Sequence, residues 1–186
     1  MASGVRAQFG TMAKPLHAGM AAANGVEAAL LAQAGLVSNP DALEAEHGFA
    51  DTHMVQTLNA NIALNHLGEY WMFEEVLHKY HACCHGLHAA IEALIKVREQ
   101  NNLNAENIKN ISIAVAPRYL KICNIMAPKT GLEAKFSFRL SAAMVLARRD
   151  TAVLSTFSDE ACDNRELIAL RDKVSVSPDP KLSETD

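Results

Sequence analysis

The apolar positions in the first third of the chain follow a helical spacing. Lys14-Pro15 places a proline in a first helical turn, an alanine-rich run over residues 18–34 continues the pattern, and Gly35 can end it. The sequence predicts two further helices here, one starting at Ser38-Asn39-Pro40 and one over residues 52–66. This first part of the chain is therefore predicted to be helical.

The rest of the chain mixes helical spacing with the alternation of β-strands. Thr130 with Glu133, and Asp163 with Glu166, have the spacing of a helix capping box. In chain order the pattern predicts a weak strand at 71–79, a helix at 85–99, a strand at Ile111–Val115, a helix from 130 to 148, a helix at 167–173 and a strand at 174–176. Helices followed by mixed elements predict an α+β fold, whose few strands need further partners to complete a sheet.

Composition limits the classes of protein to which the chain can belong. With 186 residues, 49% of them hydrophobic, the chain can bury a sizeable core. A net charge of −4 and the lack of a basic stripe argue against nucleic-acid binding, and no apolar stretch suits a signal peptide or a membrane span. The four cysteines have no spacing typical of a disulfide framework, so we expect a soluble protein of the reducing cytoplasm.

The first stretch that could carry chemistry is Lys14-Pro15-Leu16-His17-Ala18-Gly19. A lysine at the start of a helix is unfavourable, because the positive end of the helix dipole repels its ammonium group. A bound anion would remove this conflict by contacting Lys14, His17 and free backbone N–H groups. The alternative is a surface lysine beside a partly buried histidine, and the residue types alone favour this alternative.

A second stretch, residues 78–88, contains four histidines, two cysteines and one lysine. If a helix began early, His81, His85 and His88 would share one face and could bind zinc, with a cysteine completing the ligand set. Their spacing fits no common zinc motif, and no second cluster supplies further ligands. Metal binding is therefore the weaker interpretation of this stretch.

The same stretch also suits acid–base chemistry. Lys79 precedes a predicted helix, Cys84 and His85 open it, and His88 follows one turn later. Together with Lys14 they would suit a ligand with several carboxylates, from which a proton next to a carboxylate is removed while cations hold the growing negative charge. In a third interpretation the cysteines are small core residues and the histidines lie on the surface.

Both stretches resemble conserved segments of the MmgE/PrpD family. The segment that ends the first part of the family's helical domain resembles residues 3–19 (SGVRAQFGTMAKPLHAG), and residues 24–29, Gly35 and Gly48-Phe49 fit the same region. The family stretch K-x-Y-P-C-C…H-A-A-I-x-A-L resembles residues 79–94, and its helix start E-A-x-F-S resembles residues 133–137. The resemblance runs over nearly the whole chain.

This resemblance implies a cofactor-independent enzyme, without metal or iron–sulfur cluster, that acts on small polycarboxylates. The family includes 2-methylcitrate dehydratase, cis-aconitate decarboxylase and an iminodisuccinate epimerase. The implied fold is a large helical domain with a smaller α/β lid, the active site lying between them, usually in a homodimer. By motif position the implied catalytic residues are Lys14, Lys79, Cys84 and His88. The chemistry of the two stretches adds His17 and His85 as expected substrate-binding residues.

The chain departs from the family pattern at several positions. Cys84 stands where the decarboxylase branch has a catalytic histidine, Leu140 stands where some members place an active-site tyrosine, and His81 replaces the usual proline. Residues 45–47 also depart from the small, glycine-containing turn that precedes Gly48-Phe49 in the family. These differences make a decarboxylase identity doubtful.

Length is the largest departure, since family members are more than twice as long and carry an Asp/Thr/His group in N-terminal helices. We therefore expect residues 1–68 to be the C-terminal portion of the first helical segment and residues 69–186 to be an incomplete lid. The chain would be part of a lyase or isomerase, without turnover alone, that needs a second copy or a partner chain with the missing half. The alternative is a catalytically inactive remnant that acts as a ligand-binding or dimerisation module.

Overall fold

The protein is described by a computed structural model that covers residues 4–53, 65–66 and 68–182. Its fold is α+β. The chain divides into two compact units, one formed within Met20–His78 and the other by residues 2–19 together with Lys79–Asp186. Among the described residues, no helix is long and apolar enough to cross a membrane.

The described residues form eight α-helices and two β-strands. The helices are α1 (Ala13–Gln33), α2 (Phe49–His53), α3 (His88–Gln100), α4 (Pro117–Cys123), α5 (Gly131–Ala134), α6 (Phe138–Leu146), α7 (Asp159–Asp163) and α8 (Arg165–Arg171), and the strands are β1 (Ile111–Val115) and β2 (Val174–Pro178). Short 3-10 helices lie at Arg6–Gln8, Met72–Glu75, His85–Leu87, Ala105–Asn107 and Leu154–Thr156.

The first unit consists mainly of α1 beyond its opening turns and of the turns around α2. The predicted helix is confirmed by α1, and Gly35, with φ of +93°, follows its end in the left-handed conformation that glycine adopts without strain. Within Met20–His78, Ala50 is the only buried residue among those whose burial the structure describes. Burial in the described chain is therefore concentrated in the second unit.

Two elements predicted for this first unit are wrong. Ser38-Asn39-Pro40 starts no helix, because the Asn39 Oδ1 accepts the Asp41 N–H at 3.0 Å and forms a local turn in place of a helix cap. Residues 71–79 form one 3-10 turn at Met72–Glu75 and no strand. The helix predicted over residues 52–66 lies largely outside the described residues.

The second unit is built around α6. Eight of its nine residues are buried, and the helix packs between α3 and α8, with β2 beside it. A helix that is apolar on all sides belongs at the centre of a core. The two strands pair in parallel, from Ile111 opposite Val174 to Val115 opposite Pro178, so both predicted strands are confirmed and are each other's partners.

The helix predicted from residue 130 to residue 148 is two helices, α5 and α6, separated by residues 135–137. The predicted cap at Thr130 is confirmed, since its Oγ1 accepts the Glu133 N–H at 3.2 Å. The second helix has its own cap, because the Ser137 Oγ accepts the Leu140 N–H at 3.2 Å. Ser137 also forms an isolated antiparallel bridge with Asn124, which holds the break in place by tertiary pairing.

The predicted cap of α8 is wrong by one residue. The capping residue is Asn164, whose Oδ1 accepts the Leu167 N–H at 3.0 Å, and not Asp163.

Gly131 marks a close approach between two segments. A Cβ at this position would lie 2.3 Å from the Phe157 carbonyl oxygen, whereas a Cβ at Gly19 in α1 would meet no described atom within 4 Å apart from its chain neighbours and the adjacent backbone of its own helix. We expect Gly131→Ala to lower the free energy of unfolding by about 1–3 kcal/mol, and Gly19→Ala to leave it unchanged or raise it by up to about 1 kcal/mol. Denaturant unfolding followed by circular dichroism measures both, and equal effects of the two substitutions would contradict this contact.

Candidate functional site

A cavity of about 480 Å³ lies within the second unit. Three segments form most of its wall. They are the residues that lead into α1 together with its first turn, the segment before α3, and the break between α5 and α6. Its described lining consists of Phe9, Gly10, Thr11, Lys14, Pro15, Lys79, Ala82, Cys83, Cys84, His85, Leu132, Lys135, Phe136 and Leu154. Four of the six candidate site residues line it, namely Lys14, Lys79, Cys84 and His85.

Lys14 is held at the cavity by the start of α1 and by two aromatic rings. The Thr11 Oγ1 accepts the Ala13 N–H at 3.2 Å, and the first turn of the helix contains no acidic residue. The Lys14 Nζ lies 5.5 Å from the centroid of the Phe9 ring and 5.9 Å from that of Phe136. The π-faces attract the ammonium group and oppose its repulsion by the helix dipole.

Two further lysines, Lys79 and Lys135, line this cavity together with Lys14. The Lys79 Nζ donates a hydrogen bond to the Cys83 carbonyl at 3.1 Å. Lys135, which the sequence interpretation missed, lies in the break between α5 and α6, and its carbonyl accepts the Cys84 N–H at 3.0 Å. The only sequence signal for Lys135 was its position inside the E-A-x-F-S resemblance, where the family leaves this residue unspecified.

The charge of the cavity is one-sided. No Asp or Glu is found in its described lining, and none of the three lysines forms an ion pair with a described residue. Lysine ammonium groups without carboxylate partners attract anions, and they do so more strongly where water is partly excluded. The arrangement therefore favours a ligand that carries several negative charges.

Cys84 is the most acidic thiol of the site. A hydrogen bond from the Cys123 thiol lowers the pKa of Cys84 to about 6, with smaller contributions from the Gly86 backbone N–H, Lys79 and Lys14, although burial opposes the shift. The thiolate is therefore the main form of Cys84 at neutral pH, where it is both a base and a nucleophile.

The other cysteines near Cys84 remain thiols. Burial and the neighbouring Cys84 charge raise the pKa of Cys83 to about 12. The hydrogen bond to Cys84 and burial raise the pKa of Cys123 well above its usual value. Cys123 is fully buried at the end of α4, where a Cβ on Gly86 would lie 3.2 Å from its Sγ. Cys84 therefore lines the cavity, whereas Cys123 is buried in the core and is not part of the described lining.

The histidines of the 78–88 stretch are distributed over different environments. His85 lines the cavity, and its ring lies 5.7 Å from that of His88, which is not part of the cavity lining. Burial, followed by the nearby His81, His85 and Lys79, lowers the pKa of His88, and its Nε2 has no hydrogen-bond partner among the described residues. His88 is therefore a neutral ring behind His85.

His81 is a buried structural residue. Its Nδ1 lies 2.8 Å from the Thr151 Oγ1 and its Nε2 lies 2.8 Å from the Glu92 Oε1. Because a carboxylate only accepts, the Nε2 donates to Glu92, and in the neutral ring the Nδ1 accepts from the Thr151 hydroxyl. Among the described residues, no group of three His, Cys, Asp or Glu side chains is placed to hold a metal ion.

Two other residues singled out by their sequence lie away from the cavity lining. His17 is half-buried against Gly4, where an added Cβ would meet its ring at 1.8 Å, and the φ of +99° at Gly4 also favours glycine. Leu140 is fully buried in the core, as part of α6. A separate cavity of about 520 Å³ between α3 and β1 is lined almost entirely by apolar side chains and contains none of the candidate residues.

Two models of one protein family match most of this chain. The model of the MmgE/PrpD C-terminal domain matches residues 81–186, and that of the MmgE/PrpD N-terminal domain matches residues 1–60. The chain belongs to the MmgE/PrpD family. It is 25% identical over 187 aligned positions to a cis-aconitate decarboxylase of Aspergillus terreus, an alignment that covers 92% of this chain and 38% of the relative's length.

The acidity of Cys84 has a direct test in thiol alkylation. We expect the rate of its reaction with iodoacetamide to rise with pH about a midpoint near 6, because only the thiolate reacts. Cys123→Ala should move this midpoint upward, since the hydrogen bond that stabilises the thiolate is lost. Peptide mass spectrometry at each pH measures the rates.

Cys162 provides the internal control for this experiment. It is buried, and its pKa is raised to about 11 by burial and the nearby Asp159, Asp163 and Glu133. It should react slowly over the same pH range in both proteins. A midpoint for Cys84 close to the ordinary value near 8.5 would contradict the assigned environment.

Proposed function

We propose that the cavity binds a small polycarboxylate as part of a cofactor-independent lyase or isomerase. The observation that supports this most directly is the convergence of Lys14, Lys79 and Lys135 on one cavity of about 480 Å³ that has no acidic residue in its described lining. A cavity of this volume matches a small organic acid. The MmgE/PrpD membership and the name of the decarboxylase relative agree with this class of ligand.

In this proposal the lysines bind carboxylates and Cys84 acts as the base. A proton on carbon next to a carboxylate becomes removable when the charge that develops on the carboxylate oxygens is held by cations. A thiolate with a pKa of about 6 is suited to accept that proton near neutral pH. His85, which also lines the cavity, is the candidate donor of a proton to the leaving group.

A second candidate function is ligand binding without turnover. It is favoured by the composition of the described lining, in which two cysteines and one histidine are the titratable groups besides the lysines and no carboxylate is present. Acid–base reactions at carbon depend on several groups fixed in position, and loss of one can remove most of the rate advantage. Binding and turnover are therefore tested separately.

Binding is tested by neutralising each lysine in turn. We expect Lys14→Gln and Lys135→Gln each to weaken the binding of citrate by about tenfold or more, because each removes a charge-assisted hydrogen bond. Lys96→Gln is the matched control, since Lys96 is an exposed residue of α3 outside the cavity lining. Isothermal titration calorimetry gives the dissociation constants, and equal effects of all three substitutions would argue against this cavity.

Turnover is tested by proton NMR with 2-methylcitrate and cis-aconitate as substrates. We expect this chain alone to bind but not convert them, and a separately expressed N-terminal half of a full-length relative to restore conversion in the mixture. Replacing Cys84 with serine should then abolish the restored activity and leave citrate binding within a few fold. Robust conversion by this chain alone would show that the groups around this cavity are sufficient.

A further inference from the structure

We propose that Cys84 is a site of covalent modification by small dicarboxylates that carry a conjugated C=C bond, such as fumarate. The lysines that line the same cavity bind the carboxylates while the Cys84 sulfur adds to the double bond. This inference rests on the proposed function in one respect, namely that the cavity binds carboxylates. It assigns a different event to the site, because the product stays attached to the protein and turnover ends.

The first argument is that the nucleophile and the cations line one cavity. The described lining of the cavity of about 480 Å³ contains Cys84, Lys14, Lys79 and Lys135, and it contains no Asp or Glu. A dicarboxylate that enters therefore meets ammonium groups and a sulfur atom in the same space, and no fixed negative carboxylate repels it. A cavity of this volume accommodates a small organic acid.

The second argument is the way in which the backbone holds Cys84. Its N–H donates to the Lys135 carbonyl at 3.0 Å, and its carbonyl accepts the Leu87 N–H at 2.9 Å. Cys84 precedes the 3-10 helix His85–Leu87, and its side chain makes no capping hydrogen bond there. Both backbone polar groups are thus engaged within the protein, while the half-buried residue lines the cavity. The side chain is therefore the part of Cys84 that is available to a solute.

The other cysteines lack this combination of access and charge. Cys83 is 4% exposed, and Cys123 is fully buried and outside the described lining of the cavity. Cys162 is also buried, its Sγ donates to the Thr130 carbonyl at 3.3 Å, and two nearby aspartates repel an anion. Modification by a dicarboxylate should therefore be selective for Cys84.

The addition is balanced without an oxidant or a leaving group. The thiolate sulfur of Cys84 forms a bond to one alkene carbon, and the π electrons move to the neighbouring carbon and its carboxylate. The lysines stabilise the negative charge that develops there. The neighbouring carbon then takes up the proton that the thiol gave to solvent when it ionised. The product is a thioether whose mass is the sum of the protein and the acid.

The modification would link the activity of the site to its product. A lyase that removes water from a hydroxy-polycarboxylate leaves a C=C bond conjugated with a carboxylate. The product of the proposed activity therefore belongs to the class of acids that modify Cys84. Because Cys84 is also the proposed base, each adduct inactivates one site when the unsaturated product accumulates.

The test compares the rates at which fumarate and acrylamide, a neutral acceptor, modify the full chain. Both reactions consume the thiolate, so the ratio of the two rates is independent of the pKa of the thiol. We expect this ratio for Cys84 to exceed that for N-acetylcysteine amide by about tenfold or more, because the lysines bind only the dicarboxylate. Mass spectrometry of the tryptic peptide 80–96 gives the rates.

Lys135→Gln isolates the contact with a carboxylate. Among the three lysines, Lys79 and Lys14 lower the pKa of Cys84, whereas Lys135 does not contribute to this shift. The substitution should therefore slow the addition of fumarate by about tenfold and leave that of acrylamide within about twofold. Lys96→Gln, on the exposed side of α3, is the matched control and should change neither rate.

Cys84→Ser should abolish the adduct on the 80–96 peptide, which assigns the modification to Cys84 and not to Cys83. Circular dichroism reports the fold of each variant. A fumarate-to-acrylamide ratio in the wild-type protein no higher than that of the small thiol would overturn the inference. So would a raised ratio that Lys135→Gln leaves unchanged, or an adduct that forms on Cys162 as fast as on Cys84.

Citrate separates this inference from the proposed function. Titration calorimetry measures citrate binding by itself, and bound citrate should slow the addition of fumarate. Citrate binding without a raised ratio would overturn the inference and leave the proposed function standing. A raised ratio that depends on Lys135, without citrate binding, would support the inference and count against the polycarboxylate ligand of the proposed function.

Discussion

The break between α5 and α6 is the constraint on which the candidate site depends. In a continuous helix the carbonyls of Lys135 and Phe136 would accept the N–H groups four residues further along the chain. In the break, the Lys135 carbonyl accepts the Cys84 N–H at 3.0 Å and the Phe136 carbonyl accepts the Ile125 N–H at 3.1 Å. Phe136 also packs against Phe9, with ring centroids 5.5 Å apart. The break thus contacts both the segment before α1 and the segment before α3, and its Lys135 carbonyl lies beside the Cys84 N–H.

The positive charges of the three lysines at the cavity are only partly balanced by neighbouring groups. Two aromatic faces stabilise the Lys14 ammonium, the Cys83 carbonyl stabilises that of Lys79, and the Cys84 thiolate contributes one negative charge. Lys135 has no such partner among the described residues. An anion that fills the cavity would satisfy all three cations together, so its binding and the stability of the site should be linked. Positive charge that no carboxylate of the described lining balances attracts an anionic ligand.

Local patterns predicted those parts of the fold that local forces determine. The helix from Lys14 to Gly35, the strand at Ile111–Val115 and the cap at Thr130 follow from spacing and residue type, and the structure contains them. The split of the helix after Ala134 was not predicted, because it depends on pairing between Ser137 and Asn124, which only the folded chain brings together. Because this break was not predicted, the position of Lys135 in the cavity lining with Lys14 was not predicted either. The cationic motifs were visible in the sequence, whereas the cavity that unites them is a tertiary feature.

His81 shows how a departure from the family pattern can keep a local structure by other means. A proline at this position would restrict the backbone through its ring. Here the imidazole reaches from the turn to Thr151 and to Glu92, on α3, with both contacts at 2.8 Å. The Ala82 N–H donates to the Thr151 carbonyl at 2.9 Å and adds a third connection to the same neighbour. Since the turn from Lys79 to Cys84 sets the positions of both residues at the cavity, these hydrogen bonds restrain the candidate site without contacting a ligand.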